Sequence, residues 1–263
     1  MTELSDLLQA VVLGIIEGIT EFLPISSTGH LLIAEHWLGA RSELFNVAIQ
    51  AGAILAAVLV FWPRLTQLLG GFRQREHRDY LAKLALAFAL TVCGGLIAKR
   101  LGISLPDKVA PVAGALIIGA IVMLLIEWLV KGRAISAAAT WQVAIWVGCC
   151  QVLAAVFPGT SRSAATIFAA MLAGMTSRPA ATEFAFLVGI PTMFAATAYE
   201  FLKLRGTATA PEDWSALAVA FVVSALVAFI AVRWLLRYLQ THRFTAFAWY
   251  RIAAGIALLV ITR

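Results

Sequence analysis

Six long, mostly apolar runs limit this chain more than any other feature of its sequence. They lie at residues 44–62, 81–98, 109–130, 183–202, 214–236 and 244–262. A helix that crosses the hydrocarbon core of a bilayer needs roughly 20 such residues. The chain is 62% hydrophobic and 13% charged, which is far too apolar for a soluble domain. We therefore predict an all-α polytopic membrane protein with six spanning helices.

Two further apolar stretches, at residues 7–35 and 141–175, are interrupted by polar and helix-breaking residues. The interruptions read FLPISSTGH at residues 22–30 and FPGTSRSAAT at residues 157–166. Proline, glycine and serine at membrane depth leave backbone groups unpaired, which is tolerated only inside protein or beside a water-filled cavity. We therefore predict that each stretch forms a re-entrant helix hairpin.

The two interrupted stretches match each other at an offset of 134 residues. The matched pairs are Gly14 with Gly148, Pro24 with Pro158, Ser26 with Thr160, and Ser27 with Ser161. Glu17 falls opposite Gln151. A polar loop and a long apolar run follow each stretch, as in duplicated membrane proteins. We predict one integral membrane domain, residues 1–263, with repeat halves at about 1–133 and 134–263.

The basic residues favour one orientation in the membrane. If the arginine-rich loop at residues 64–78 is cytoplasmic, eleven basic residues lie inside and seven outside. The seven are Arg41, Lys99, Arg100, Lys108, Lys203, Arg205 and Arg263. The first hairpin then enters from outside and the second from inside, so their polar loops meet near the midplane. This predicts an inverted-topology repeat whose site opens to the outer side.

Glu17 and Glu21 lie four residues apart, on one face of a helix and one turn before Pro24. Ionising both carboxyl groups in a low-dielectric site is unfavourable, because the two negative charges repel each other. The pair is therefore expected to share a proton or a cation. This suits a general base or a metal site. The alternative is a pair of carboxylates facing a wet cavity without chemistry. Acids inside membranes are usually functional, so we favour chemistry.

The first motif continues with three hydroxyls and an imidazole, carried by Ser26, Ser27, Thr28 and His30. Hydroxyls and amides at the start of a helix can bind an anion, and a histidine can transfer a proton. Simple capping of the following helix is the alternative. Together with the two acids, the pattern favours an anion site that also moves protons.

The second motif combines a Pro-Gly turn with hydroxyls and one arginine. Its polar residues are Thr160, Ser161, Arg162, Ser163 and Thr166. A guanidinium grips phosphate oxygens in a bidentate way, and helix N-terminal amides add donors. Arg162 lies in an apolar run and needs a partner, for which a salt bridge to Glu17 or Glu21 is the alternative. The clustered hydroxyls favour a phosphate.

Arg251 lies inside the last apolar run, within AWYRIAAG. We expect it either to reach the bound phosphate groups, or to pair with Glu183 or extend to the membrane surface. The net charge of +6 is spread over short loops rather than gathered in one patch, so no nucleic-acid partner is expected.

The segments GIIEGITEFLPISSTGH at 14–30 and FPGTSRSAATI at 157–167 resemble the two motifs of the bacterial undecaprenyl pyrophosphate phosphatases, also called bacitracin-resistance proteins. The resemblance extends over the whole chain in length and order. It implies hydrolysis of undecaprenyl pyrophosphate to undecaprenyl phosphate and inorganic phosphate, which recycles the carrier lipid for peptidoglycan synthesis. It also implies a divalent cation, magnesium or calcium. We expect the protein in the bacterial inner membrane, where the orientation given by the basic residues opens the site to the periplasm.

The family's functional positions carry over to both motifs. They are Glu17, Glu21, Ser27 and His30 in the first motif, and Ser161, Arg162, Ser163 and Thr166 in the second. Glu17 and Glu21 are the expected metal ligands, and Ser26, Thr28 and Arg251 are further expected substrate contacts. Some relatives carry acids just before the second motif, whereas residues 135–140 here read ISAAAT. A homo-oligomer is compatible with the sequence.

Three questions stay open at this level. Ser27, activated by His30 or Glu21, can attack the phosphate, or Glu21 can activate water. The type 2 phosphatidic acid phosphatases share related motifs, but their nucleophilic histidine corresponds to Phe168 here, which disfavours that family. A transporter of an anionic lipid or small anion also fits an inverted repeat, although it does not need proton-transfer groups.

Overall fold

Ten α-helices make up the computed structural model, which describes residues 2–103, 108–204 and 213–261. They are α1 Thr2–Thr20, α2 Ser27–Leu38, α3 Glu43–Gly70, α4 Arg75–Arg100, α5 Val109–Leu129, α6 Trp141–Val156, α7 Arg162–Leu172, α8 Arg178–Leu204, α9 Trp214–Tyr238 and α10 Thr245–Ile261. These ranges contain no strand, so the all-α prediction is confirmed. Arg205 and Arg263, counted above for orientation, lie outside them.

Five of the six predicted spans are helices long and apolar enough to cross a membrane, namely α3, α4, α5, α8 and α9. A multi-pass membrane protein is therefore confirmed. The sixth, predicted at 244–262, is the shorter helix α10, with 17 residues in the described part. At 1.5 Å per residue it is about 25 Å long, less than the roughly 30 Å of a hydrocarbon core. Six full spans are thus not established.

In both interrupted stretches the helix ends and a new helix begins at the polar motif, as the sequence predicts. The first motif loop, residues 21–26, separates α1 from α2, and the second motif loop, residues 157–161, separates α6 from α7. The helices after the loops, α2 and α7, have 12 and 11 residues and pack against the helices before them. At about 18 Å or less, neither is long enough to span a bilayer.

Each motif loop ends at a serine with the same unusual backbone. Ser26 has φ 74° and ψ 101°, and Ser161 has φ 69° and ψ 110°. They are the only residues other than glycine with positive φ in the part of the chain that the structure describes. Each side chain caps the next helix, accepting from the amides of Gly29 and Ala164. Such strain on a non-glycine residue is typical of functional sites.

These two serines correct the predicted alignment of the repeats. Ser26 was paired with Thr160, yet its structural counterpart is Ser161. The reason is that the second motif loop has one more residue between its proline and its cap, Gly159 and Thr160 against Ile25 alone. The offset of 134 therefore holds up to the prolines and becomes 135 at the helix caps.

The packing of the helices is duplicated, which supports the predicted internal repeat. Helix α1 packs on α9 as α6 packs on α4, and α3 packs on α9 as α8 packs on α4. A Cβ at Gly14 would lie 2.7 Å from the Ala220 carbonyl oxygen, and one at Gly148 would lie 2.8 Å from that of Ala87. Both matched glycines thus let a helix approach the backbone of its partner closely.

Buried aromatic rings pack against the first motif loop. The Phe22 ring meets Phe186 of α8 edge to face with 5.2 Å between centroids, and Phe186 meets Phe61 of α3 at 6.0 Å. Edge-to-face contacts of this kind stabilise beyond the area they bury. The loop that carries Glu21 is therefore fixed against two long helices.

Candidate functional site

The two motif loops lie against each other. Arg162 Nη2 donates to Glu21 Oε1 at 2.6 Å, and Ser163 Oγ donates to the carbonyl oxygen of Leu23 at 3.1 Å. These contacts join residues about 140 positions apart in the chain. The sequence prediction that the two loops meet is confirmed.

A cavity of about 260 Å³ opens beside this contact. The predicted site residues that line it are Glu21, Ser26, Ser27, Thr28, Ser161 and Arg162. A neighbouring cavity of about 310 Å³ shares Ser27 and Thr28 and adds Glu17. Two glutamines to which the sequence assigned no role also belong here, since Gln50 lines both cavities and Gln151 lines the first.

Ser27 and Glu21 are joined by a short hydrogen bond within the first motif. Ser27 Oγ donates to Glu21 Oε2 at 2.6 Å, while the other carboxylate oxygen accepts from Arg162. The carboxylate is nearly buried and faces both groups at once. A hydroxyl in direct contact with a carboxylate can pass it a proton and act as a nucleophile. Of the two bases considered for Ser27, the geometry favours Glu21.

His30 lies close in sequence but does not contact Ser27. Its Nδ1 is 2.7 Å from the carbonyl oxygen of Ser26, and its Nε2 is 2.7 Å from the Tyr250 hydroxyl. A carbonyl only accepts, so Nδ1 carries a proton, and in the neutral imidazole Nε2 then accepts from Tyr250. Both ring nitrogens are thus occupied, and His30 connects α2 to α10. No hydrogen bond joins His30 to Ser27 among the described residues, so a proton transfer between them stays a prediction.

Arg162 forms a salt bridge with Glu21, which was the alternative to phosphate binding. This salt bridge leaves other N–H groups of the guanidinium free to bind an anion. The hydrogen bond to Glu21 is the only one that the Arg162 side chain donates among the described residues. A guanidinium has five N–H donors. Because Arg162 lines the cavity and its side chain is 28% exposed, its remaining donors can reach a bound anion.

Of the other polar residues in the second motif, only Ser161 faces the cavity. Ser163 bonds to the first motif loop, and Thr166 Oγ1 donates to the carbonyl oxygens of Arg162 and Ser163. A hydroxyl early in a helix readily bonds back to the preceding turn. The expected substrate contacts of Ser163 and Thr166 are therefore corrected, because both side chains are buried and hold the start of α7.

Arg251 is fully buried and lines neither cavity. Its guanidinium donates to five carbonyl oxygens at 3.1 to 3.4 Å, those of Pro24, Gly159, Thr160, Ala115 and Leu116. The first three belong to the motif loops and the last two to α5. Glu183, its suggested partner, instead pairs with Arg64 at 2.9 Å. The prediction of a direct substrate contact is corrected, because Arg251 uses its donors to hold the loops.

Glu17 is 2% exposed, and its Oε2 has no hydrogen-bond partner within the described ranges. It lines the second cavity, of about 310 Å³, together with Ser27 and Thr28. No group of three or more His, Cys, Asp or Glu side chains in those ranges forms a metal site. Magnesium commonly takes only one or two carboxylates and completes its shell with water and substrate phosphate. Glu17 with nearby hydroxyls fits such a cation, whereas both oxygens of Glu21 already have partners.

Comparison with known proteins gives consistent matches along nearly the whole chain. The family described as bacitracin resistance protein BacA matches residues 10–257. A Rhizobium etli protein named undecaprenyl-diphosphatase is 59% identical over 258 residues, covering 98% of this chain and 97% of the relative. Proteins of that name from Stenotrophomonas maltophilia and Xanthomonas oryzae are 60% and 53% identical over equally long alignments.

Proposed function

The chain belongs to the bacitracin resistance protein BacA family, and we propose that it hydrolyses undecaprenyl diphosphate to undecaprenyl phosphate and inorganic phosphate. The observation that carries this proposal is the contact of Glu21 with both Ser27 and Arg162 inside one cavity. A nucleophile, its base and an anion-binding group are thereby in place together, as phosphoryl transfer requires. The relatives' shared name agrees with this chemistry.

The diphosphate is held where the two short helices begin. Ser27 is the first residue of α2 and Arg162 the first of α7, so both helix N-termini lie at the cavity. Their free amides and positive dipole ends favour a negative ligand. The donors of Arg162 that Glu21 does not use bind non-bridging phosphate oxygens and stabilise the charge that develops on the leaving group.

Ser27 Oγ attacks the terminal phosphorus while Glu21 takes its proton. The new bond joins Ser27 Oγ to phosphorus, and the bond between that phosphorus and the bridging oxygen breaks, which releases undecaprenyl phosphate. Glu21 passes the Ser27 proton to the leaving phosphate oxygen and becomes a carboxylate again. Water then attacks the phosphoserine while Glu21 takes a proton from this water. As the bond between phosphorus and Ser27 Oγ breaks, Glu21 returns that proton to Ser27, and inorganic phosphate leaves. The 2.6 Å contact between Ser27 and Glu21 supports this route over direct attack by water.

We propose that Glu17 holds a divalent cation, magnesium or calcium, in the cavity that Ser27 and Thr28 also line. Such an ion offsets the charge of the diphosphate. The support is the buried Glu17 carboxylate, whose Oε2 has no partner within the described ranges. An uncompensated carboxylate at this depth would be costly.

The orientation in the membrane is also part of the proposal. We place the chain in the bacterial inner membrane as an inverted repeat, with α1/α2 and α6/α7 as re-entrant hairpins. Glu35 near the end of α2 and Asn46 near the start of α3 line the second cavity, so this cavity opens toward that end of the bundle. With the arginine-rich loop at residues 64–78 in the cytoplasm, that end faces the periplasm.

Phosphate release from undecaprenyl diphosphate by the purified protein in detergent tests the activity. We expect release of one phosphate per lipid, appearance of undecaprenyl phosphate, and loss of both with Ser27→Ala. A transporter of an anionic lipid would bind the substrate and release no phosphate. That result with well-folded protein would refute the proposed function.

The cellular role follows from the reaction. Undecaprenyl phosphate is the carrier that peptidoglycan synthesis consumes, so we propose that the protein recycles it and confers resistance to bacitracin. Raised expression in a bacterial host is expected to increase the bacitracin concentration needed to stop growth, and Ser27→Ala is expected to abolish the increase. Equal protection by both proteins would argue against resistance through hydrolysis.

A further inference from the structure

Gln151 is a polar side chain buried in the site with nothing to bond to. It lies on α6, is 1% exposed and lines the same cavity as Glu21 and Arg162. Neither its Nε2 nor its Oε1 has a hydrogen-bond partner anywhere in the described part of the chain. Nearby Thr91 is already engaged, because its hydroxyl donates to the carbonyl oxygens of Ala87 and Gly148. The amide is therefore free to bind a ligand.

A buried amide without partners destabilises a fold, since it loses its hydrogen bonds to water and gains none from protein. An unpaired buried polar group in an otherwise well-packed region calls for a functional explanation. The cavity that Gln151 faces also contains the Arg162 guanidinium, the Ser161 hydroxyl and the N-terminus of α7. All of these are groups that attract an anion.

The repeat gives Gln151 a counterpart of different charge. The offset of 134 places it opposite Glu17, and the close backbone contacts of Gly14 and Gly148 support that register. At this matched position each half thus supplies a buried side chain with an unpaired polar atom, a carboxylate in α1 and a carboxamide in α6. A carboxylate suits a cation, whereas a neutral amide with N–H donors suits a phosphate oxygen.

We infer that Gln151 is a further substrate-binding residue, whose Nε2 donates a hydrogen bond to a non-bridging oxygen of the bound diphosphate. This inference rests on the proposed function. Arg162 and Gln151, which line the same cavity, then bind the phosphate groups with one charged and one neutral donor. An acid at position 151 would repel the diphosphate, which explains why the second half carries an amide there.

The test compares Gln151→Met and Gln151→Glu with the wild type. Methionine keeps the unbranched shape and removes the donor, so the KM for undecaprenyl diphosphate is expected to rise roughly 10-fold or more, the loss typical of one hydrogen bond to a charged group. Inhibition by inorganic pyrophosphate is expected to weaken in parallel. The thermal midpoint of Gln151→Met is expected to stay the same or rise, because no protein partner is lost. Gln151→Glu is expected to lose more activity than Gln151→Met.

Gln142→Met is the matched control, because Gln142 is an exposed glutamine on the same helix and lines neither cavity. It is expected to keep the wild-type KM. An unchanged KM and unchanged pyrophosphate inhibition in Gln151→Met would overturn the inference, as would a marked fall in its thermal midpoint, which would reveal a structural role. If wild-type protein releases no phosphate, the proposed function fails instead, and pyrophosphate binding still tests Gln151.

Discussion

Glu21 and Arg162 lie 141 residues apart in the sequence and form an ion pair of 2.6 Å at the point where the two halves of the chain meet. The same carboxylate also accepts the Ser27 hydroxyl. The Glu21 side chain therefore connects Arg162, the proposed phosphate-binding group, to Ser27, the proposed nucleophile. The expected effects of substitution differ according to which of these contacts each variant removes.

Glu21→Gln is expected to abolish most turnover while the protein still folds. Glutamine keeps the size and one acceptor oxygen but cannot take the Ser27 proton, and loss of a general base typically costs about 10²- to 10⁴-fold in rate. Phosphate release and thermal unfolding measure the two effects. Glu200→Gln, which changes an exposed acid, is the control. A folded and fully active Glu21→Gln protein would remove Glu21 from the mechanism.

Arg162→Lys is expected to lose activity by at least roughly 100-fold although it keeps the charge. An ammonium cannot form the fork that binds Glu21 and phosphate oxygens together. Steady-state kinetics with undecaprenyl diphosphate measure the effect, and Arg75→Lys at an exposed position is the control. Turnover near that of the wild type would count against phosphate binding by Arg162.

Arg251→Lys is expected to lower stability as well as activity. Lysine has three N–H donors for the five carbonyl oxygens, so at least two of these hydrogen bonds are lost, and at about 1–3 kcal/mol each the expected loss is about 2 kcal/mol or more. Thermal unfolding in detergent should show a clear decrease relative to Arg162→Lys. Lost activity with unchanged stability would indicate instead that Arg251 contacts the substrate.

Removal of divalent cations is expected to stop phosphate release, and added magnesium or calcium is expected to restore it. Glu17→Gln should raise the cation concentration needed for half-maximal activity, because glutamine offers a weaker oxygen ligand without charge. Its thermal midpoint is expected to stay level or rise, since Glu17 Oε2 has no partner among the described residues. A chelator-resistant wild-type enzyme would contradict the cation proposal.

Thr28→Cys tests which side of the membrane the site faces. Thr28 lines both cavities and is partly exposed, whereas Ser26 is buried with strained backbone and would react poorly. In a variant without Cys93, Cys149 and Cys150, the new thiol is expected to react in intact cells with a reagent that does not cross the inner membrane. Reaction only after the membrane is opened would place the site on the cytoplasmic side.

Local chemistry explains what the sequence predicted correctly. Apolar runs, prolines and cap residues determine the backbone conformation within a few positions of themselves. The sequence alone therefore predicts the location of α3 and of the two motif loops. The pairing of Arg162 with Glu21 was already an alternative, because a buried arginine needs a partner. In contrast, Tyr250 contacts His30 across 220 residues, and the sequence offers no local signal for this pair. The hydrogen bond from Ser163 to the carbonyl oxygen of Leu23, 140 residues away, had no local signal either.

Arg251 is a difference between the two halves of the repeat. Helix α5, which precedes the midpoint of the chain as α10 precedes its end, contains no basic residue. One guanidinium in the second half therefore fixes the carbonyl of Pro24 in the first and those of Gly159 and Thr160 in the second. A gene cut at the repeat boundary would yield an N-terminal fragment without the group that holds its own loop. Two copies of that fragment would lack the hydrogen bonds that Arg251 donates to the motif loops.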